Sequence, residues 1–123
     1  MFNSKLSSLQ DRLARVTNKL SADHASGRII LDALGGESRV KASTGRNVLF
    51  SNNYNGVMIQ TVPVRGKGVE NVKIVLNDDL VTCDVFFYAP LKTPTPKIKK
   101  TVKDVPLDVL EGLFEQQTGV VLK

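Results

Sequence analysis

Apolar residues Phe2, Leu6, Leu9, Leu13, Val16 and Leu20 recur at intervals of 4-3-4-3-4, which sets all six on one stripe of a helix. The spacing predicts an N-terminal amphipathic helix within residues 1–23, interrupted at Ser21, Asp23 and His24, with Ala25-Ser26-Gly27 reading as a break. In "RIILDALGG", Ile29, Ile30, Leu31 and Leu34 suit either a short helix ended by Gly35 or a buried strand. Glycine accepts the left-handed conformation that closes helices, which favours the helix.

From Glu37 the pattern changes to short segments punctuated by turn residues, and residues 37–89 read as an antiparallel sheet. "ESRVKAS" and "RNVLFSN" are split by Thr44-Gly45, and "NYNG" carries an Asn-Gly pair suited to a type I′ hairpin turn. "VMIQTVPV", "NVKIVLN" and "LVTCDVFFYA" follow, separated by "RGKG" and by Asp78-Asp79. Val72, Ile74 and Leu76 make one alternating apolar face, and Val81, Cys83, Val85, Phe87 and Ala89 another.

Pro94 and Pro96 lack backbone donors, so residues 90–103 read as a stiff Pro/Lys-rich connection leaving the sheet. An alternative docks Ile98 and Val102 as an extended segment along the sheet, with lysines guarding its edge. Residues 104–119 then read as a C-terminal helix capped by Asp104, with Pro106 in its first turn and a stop near Gly119. Leu107, Leu110, Leu113 and Phe114 would be its buried side. The expected fold is α+β: an antiparallel β-meander of four to five strands with an N-terminal amphipathic helix and a C-terminal helix, in one domain over residues 1–123.

The chain's 123 residues, 41% hydrophobic and 24% charged, can bury one core without disulfides or metal. Its lone Cys83 cannot form an internal disulfide, and no apolar run approaches the ~18 residues that span a bilayer or resembles a signal segment. The expected setting is therefore cytoplasmic, with no membrane partner.

Charge divides the chain. Residues 1–103 carry 16 of the 17 basic side chains and 8 of the 12 acidic ones, whereas residues 104–123 carry one basic and four acidic. Lys5, Arg12, Arg15 and Lys19 fall within about 80° of arc on the first helix, a stripe able to follow a phosphate backbone. The same helix keeps a heptad seam, but with Leu6 at position a no complementary charge pairing results. Arg65 and Lys67 in the "RGKG" turn, and Lys97, Lys99, Lys100 and Lys103 in "KIKKTVK", complete the candidate polyanion contacts. Without arginine or interleaved aromatics the lysine run suits non-specific attraction rather than base reading. Asp104, Asp108, Glu111 and Glu115 recur at 4, 3 and 4 and form an acidic stripe, the candidate subunit contact.

Catalytic chemistry has little to stand on. His24 is the only histidine, and no serine or cysteine is tied to it by pattern; Cys83 alternates with core residues. The Gly-Arg pairs at Gly27-Arg28 and Gly45-Arg46, like "RGKG", lack the longer loop and Lys-Ser/Thr pair of a phosphate-binding loop. No catalytic residue, metal ligand or cofactor is assigned. The expectation is a non-catalytic interaction or assembly subunit that associates with itself or another protein through oppositely charged helix faces. A sequence-nonspecific nucleic-acid-binding protein is the alternative, and the choice turns on whether the acidic face meets the basic one.

Overall fold

The computed structural model describes residues 25–90 and 97–123. The predicted first helix, with Lys5, Arg12, Arg15 and Lys19, and also His24, Pro94 and Pro96, lie outside the described residues.

Five strands form one antiparallel meander in the order β1 (Val48–Phe50), β2 (Gly56–Gln60), β3 (Asn71–Leu76), β4 (Thr82–Tyr88) and β5 (Ile98–Pro106). Helices α1 (residues 25–33) and α2 (Glu37–Thr44) precede the sheet, and α3 (Leu107–Thr118) follows it. The architecture is the expected α+β arrangement.

Alternation decides the inner face. Val57, Ile59, Val72, Ile74, Val85 and Phe87 are fully buried and pack with Ile30, Leu31 and Leu34 of the N-terminal helical segment and Leu110 and Phe114 of α3. Each fully buried aliphatic or aromatic side chain contributes about 1.5–3 kcal/mol, so this one layer accounts for why the meander holds its register. The opposite face carries half-exposed residues at the intervening positions of β3 and β4.

Ala25-Ser26-Gly27 is helical rather than a break. A Cβ at Gly27 would lie 2.6 Å from the Phe50 ring and 2.8 Å from Val57, so glycine there lets α1 approach the sheet. Residues 28–33 are helical, and the Gly36 N–H closes the helix on the Leu31 carbonyl at 2.7 Å.

Residues Glu37–Thr44, expected as a strand, form α2. The reason is local: Val40 and Thr44 are its only buried residues and sit one helical turn apart, Lys41 pairs with Glu37 at 2.9 Å, and Gly45 in the left-handed conformation caps the end. The Asn55-Gly56 pair also departs from expectation. Gly56 is the first residue of β2, and a Cβ there would lie 1.8 Å from the Ile74 carbonyl oxygen, so close backbone approach requires it.

The largest correction concerns the sheet's end. Ile98–Pro106 is a nine-residue edge strand, as the alternative that docks Ile98 and Val102 along the sheet expects, so residues 98–103 are not part of a connection leaving the sheet; Val102 lies opposite Val85 and Val105 opposite Cys83. The sheet thus runs to Pro106, and α3 begins only at Leu107. Asp104 therefore does not cap that helix: it lies within β5 with φ of 54°, where the register shifts between Cys83 and Val85. Gly119 ends α3 in the left-handed conformation, as read.

Candidate polyanion-binding surface

The meander turns at two ends. Loop 61–70 between β2 and β3 lies at the end where β5 begins, and turn 77–81 between β3 and β4 lies at the other. At the first end, the Val64 carbonyl accepts the N–H groups of Lys67 (2.8 Å) and Gly68 (3.1 Å), which folds "RGKG" into a tight turn through Gly66 and Gly68, both with positive φ. On β5, Lys100 pairs with Phe87 but Ile98 pairs with Tyr88, leaving Lys99 as the extra residue of a bulge. The bulge directs its ammonium onto the Lys67 carbonyl. A Cβ at Gly68 would lie 2.9 Å from that ammonium, so the second glycine leaves it room.

Lys67, Lys99 and Lys100 thereby line one cleft of about 260 Å³ together with Gly66 and Gln117 of α3, with Phe87 and Val69 beneath. Among the described residues no carboxylate lines it. Among the described residues the ion pairs are Arg39 with Glu111 and Lys41 with Glu37, and neither involves these lysines. Arg65 lies exposed on the same turn, and Lys97 is exposed beside Ile98 at the start of β5. Lys103 is not part of the cleft. It sits at the second register shift and borders a groove of about 520 Å³ between β5 and α3.

The four acidic residues do not form one helical stripe, because Asp104 is on the strand. Glu111 holds Arg39 through both carboxylate oxygens, at 3.1 and 3.3 Å, and Arg39 also donates to the Leu34 and Leu122 carbonyls. Glu115 accepts the Leu122 N–H at 2.8 Å. These two carboxylates tie the C-terminal tail to α2 and α3. Asp108 is exposed in the first turn of α3, where a negative charge suits the helix terminus. None of the four forms an ion pair with the β5 lysines.

At the opposite end of the sheet, three carboxylates are engaged by the fold itself. Asp79 accepts the N–H groups of Val81 (3.0 Å) and Thr82 (2.9 Å) and the Thr82 hydroxyl, which hold its carboxyl below the ordinary range. Asp84 accepts the Asp104 N–H at 3.0 Å, and the Asn77 amide reaches Thr82, Asp84 and Asp104. Cys83, fully buried, has its thiol pushed up to about 12 by burial and then by the neighbouring Asp84 charge, which disfavours the thiolate. Among the described residues no three His, Cys, Asp or Glu side chains cluster as metal ligands, and no helix is long and apolar enough to cross a membrane.

One group escaped the sequence reading. On the open face of the sheet, the Lys73 ammonium lies 4.5 Å from the Tyr54 ring centre and 5.3 Å from that of Phe86. Tyr88 stands two residues beyond Phe86 on the same strand face. Burial raises the Tyr54 phenol above its ordinary value; a hydrogen bond with Ser51 opposes this and the nearby Tyr88 phenol adds to it. The alternation of "FFY" places Phe86 and Tyr88 on the strand face away from Phe87, a signal that the apolar period of β4 masks. Comparisons with family models, with curated proteins and with solved structures find no match to this chain.

Proposed function

We propose that the protein binds nucleic acid without sequence preference through the basic end of its sheet. The observation that carries this reading is the convergence of Lys67, Lys99 and Lys100 on one cleft that no carboxylate among the described residues lines. Lysines on long stems are point charges, able to follow phosphates but poorly suited to reading base edges, so the binding is non-specific and salt-dependent. Complementary helix faces, the basis of the assembly expectation, lose force because Glu111 and Glu115 already serve Arg39 and the Leu122 N–H.

The test is static light scattering of the purified chain with a random single-stranded oligonucleotide, in low and in high salt. Mass gained at low salt and lost at high salt is the expected result. No gain at low salt overturns the reading.

Self-assembly is the second reading, favoured by the groove between β5 and α3. Its walls are Val102, Val105, Pro106, Val109 and Leu113, with Val109 half-exposed. A discrete oligomer that Val109→Asp dissolves, and that ignores the oligonucleotide, would establish it instead.

A further inference from the structure

The Leu107 N–H donates to the Val81 carbonyl at 3.0 Å, which sets the first turn of α3 against turn 77–81, at the end of the sheet away from the lysine cleft. Apolar side chains collect there in contact with solvent. Leu80 is 56% exposed, Val81 60% and Val109 52%. Val81 extends the period of Cys83 and Val85, so it belongs to the helix-facing side of the sheet. Val109 continues this surface into the groove between β5 and α3. The turn does not require leucine, because Leu80 has φ of 63°, a conformation that glycine or asparagine adopts more readily. Nor does α3 require glycine at position 112, where a Cβ would meet nothing within 4 Å and alanine would favour the helix more.

Carboxylates rim this surface. Asp78, Asp79, Asp104 and Asp108 are exposed, and none is in an ion pair among the described residues. Asp108 stands one helical turn before Gly112, on the solvent flank of the groove.

We propose that residues 2–20 of the same chain dock here, laying the apolar seam that runs from Phe2 to Leu20 over Leu80, Val81 and Val109. Those residues lie outside the described ones, and charge, side and reach name them as the occupant. Lys5, Arg12, Arg15 and Lys19 flank one side of the seam, so an apolar stripe with a basic margin meets an apolar patch with an acidic one. The chain also enters on the matching side. Helix α1 begins at residue 25, and its Gly27 packs on Phe50 and Val57 of the inner face.

Phe50, Val57, Ile74, Val85 and Val102 make one cross-strand row, so the groove beside Val102 lies four strand spacings, about 19 Å, from β1. A helix over residues 2–20 measures about 28 Å, and residues 21–24 add up to ~13 Å of extended chain. The segment therefore reaches from α1 past turn 77–81 to Val109. This goes beyond the nucleic-acid reading and does not rest on it. The N-terminal cations gain a role within the fold, and the lysine cleft is left for phosphates.

The experiment uses the full isotope-labelled chain with a nitroxide at Asn18→Cys, a position on the helix side opposite the seam. Cys83 is fully buried, and the parent chain treated with the same reagent controls for its silence. Amide signals of residues 78–81 and 107–109 should lose intensity that returns when the nitroxide is reduced, while those of loop 61–70 keep theirs. Two variants at exposed positions should abolish that loss while keeping native circular dichroism. Leu80→Asn/Val81→Thr removes the apolar surface, and Asp78→Lys/Asp108→Lys reverses two rim charges.

Loss spread evenly over the chain, loss confined to other residues, or loss unchanged in both variants overturns the proposal. Isotope-labelled parent chain mixed with unlabelled nitroxide-bearing chain should show no loss. Loss at residues 78–81 in that mixture would place the segment on a second copy and overturn its assignment to the same chain. Oligonucleotide binding is read separately by light scattering, so the nucleic-acid reading can fail while the docking stands, and the reverse.

Discussion

The two ends of the sheet carry opposite charge and treat it oppositely. At the turn 77–81 end, Asp79, Asp84 and Asp104 meet backbone N–H groups, the Thr82 hydroxyl and the Asn77 amide, so the acidic side chains serve the fold. At the loop 61–70 end, Lys67, Lys99 and Lys100 gather, and among the described residues Lys99 meets the Lys67 carbonyl and no carboxylate lines their cleft. The difference lies in the chemistry of turns, which leave N–H donors that a short carboxylate can accept close to its own backbone. An ammonium on a four-carbon stem has no such local role. Charge that the fold does not use is the charge available to a partner.

The comparison can be broken most forcefully from beneath the basic end. Phe87 is fully buried below the cleft, and Phe87→Ala should cost about 3–5 kcal/mol by leaving a cavity in the core. Urea unfolding measures that loss, and the cleft should weaken only to the extent that the fold does. A smaller effect is expected where charge is already engaged in the fold. Arg39→Ala removes the paired contact with Glu111 and the bond to the Leu122 carbonyl, for about 1 kcal/mol given the partial exposure of the pair. Hydrogen exchange should then show faster exchange at the Leu122 amide, with oligonucleotide binding unchanged.

The smallest effect belongs to Asp79 and appears only in acid. Its folded carboxyl lies below its unfolded value, so its contribution is present above about pH 4 and is lost as pH falls through the depressed folded value. Asp79→Asn should flatten that part of the acid-unfolding profile. An unchanged profile would mean the turn's hydrogen bonds do not depend on the ionised form.

How much of this was legible depends on the range of the interactions involved. Alternation at Val72, Ile74 and Leu76 and at Cys83, Val85 and Phe87 marked the central strands, because one buried face imposes period two. Gly119 marked the end of α3 for an equally local reason. Helix α2 was misread because its turn residues resemble a hairpin and one buried stripe of Val40 and Thr44 is too short to show a period. Strand β5 was legible only as one of two readings, because lysines fill many of its positions and its few apolar residues, Ile98, Val102 and Val105, do not keep a strict alternation across two register shifts. The candidate site was half visible. "RGKG" and "KIKK" were both recognisable as basic, but their meeting depends on one bulge at Lys99 and on the pairing of β4 with β5, which no local pattern encodes. The remaining basic stripe, Lys5 to Lys19, lies outside the described residues, whereas the acidic stripe dissolved because Asp104 belongs to a strand.

The most direct test of the account is the salt dependence of binding at the basic end. Fluorescence anisotropy of a labelled oligo(dT) would be followed across salt for the parent chain and for Lys67→Gln/Lys99→Gln/Lys100→Gln. With a slope of about −0.7 per phosphate on single strands, loss of three contacts should make the dependence shallower by about 2 and weaken binding roughly a hundredfold near 0.1 M salt. An unchanged slope and affinity would contradict the claim that this cleft is where the protein meets its partner.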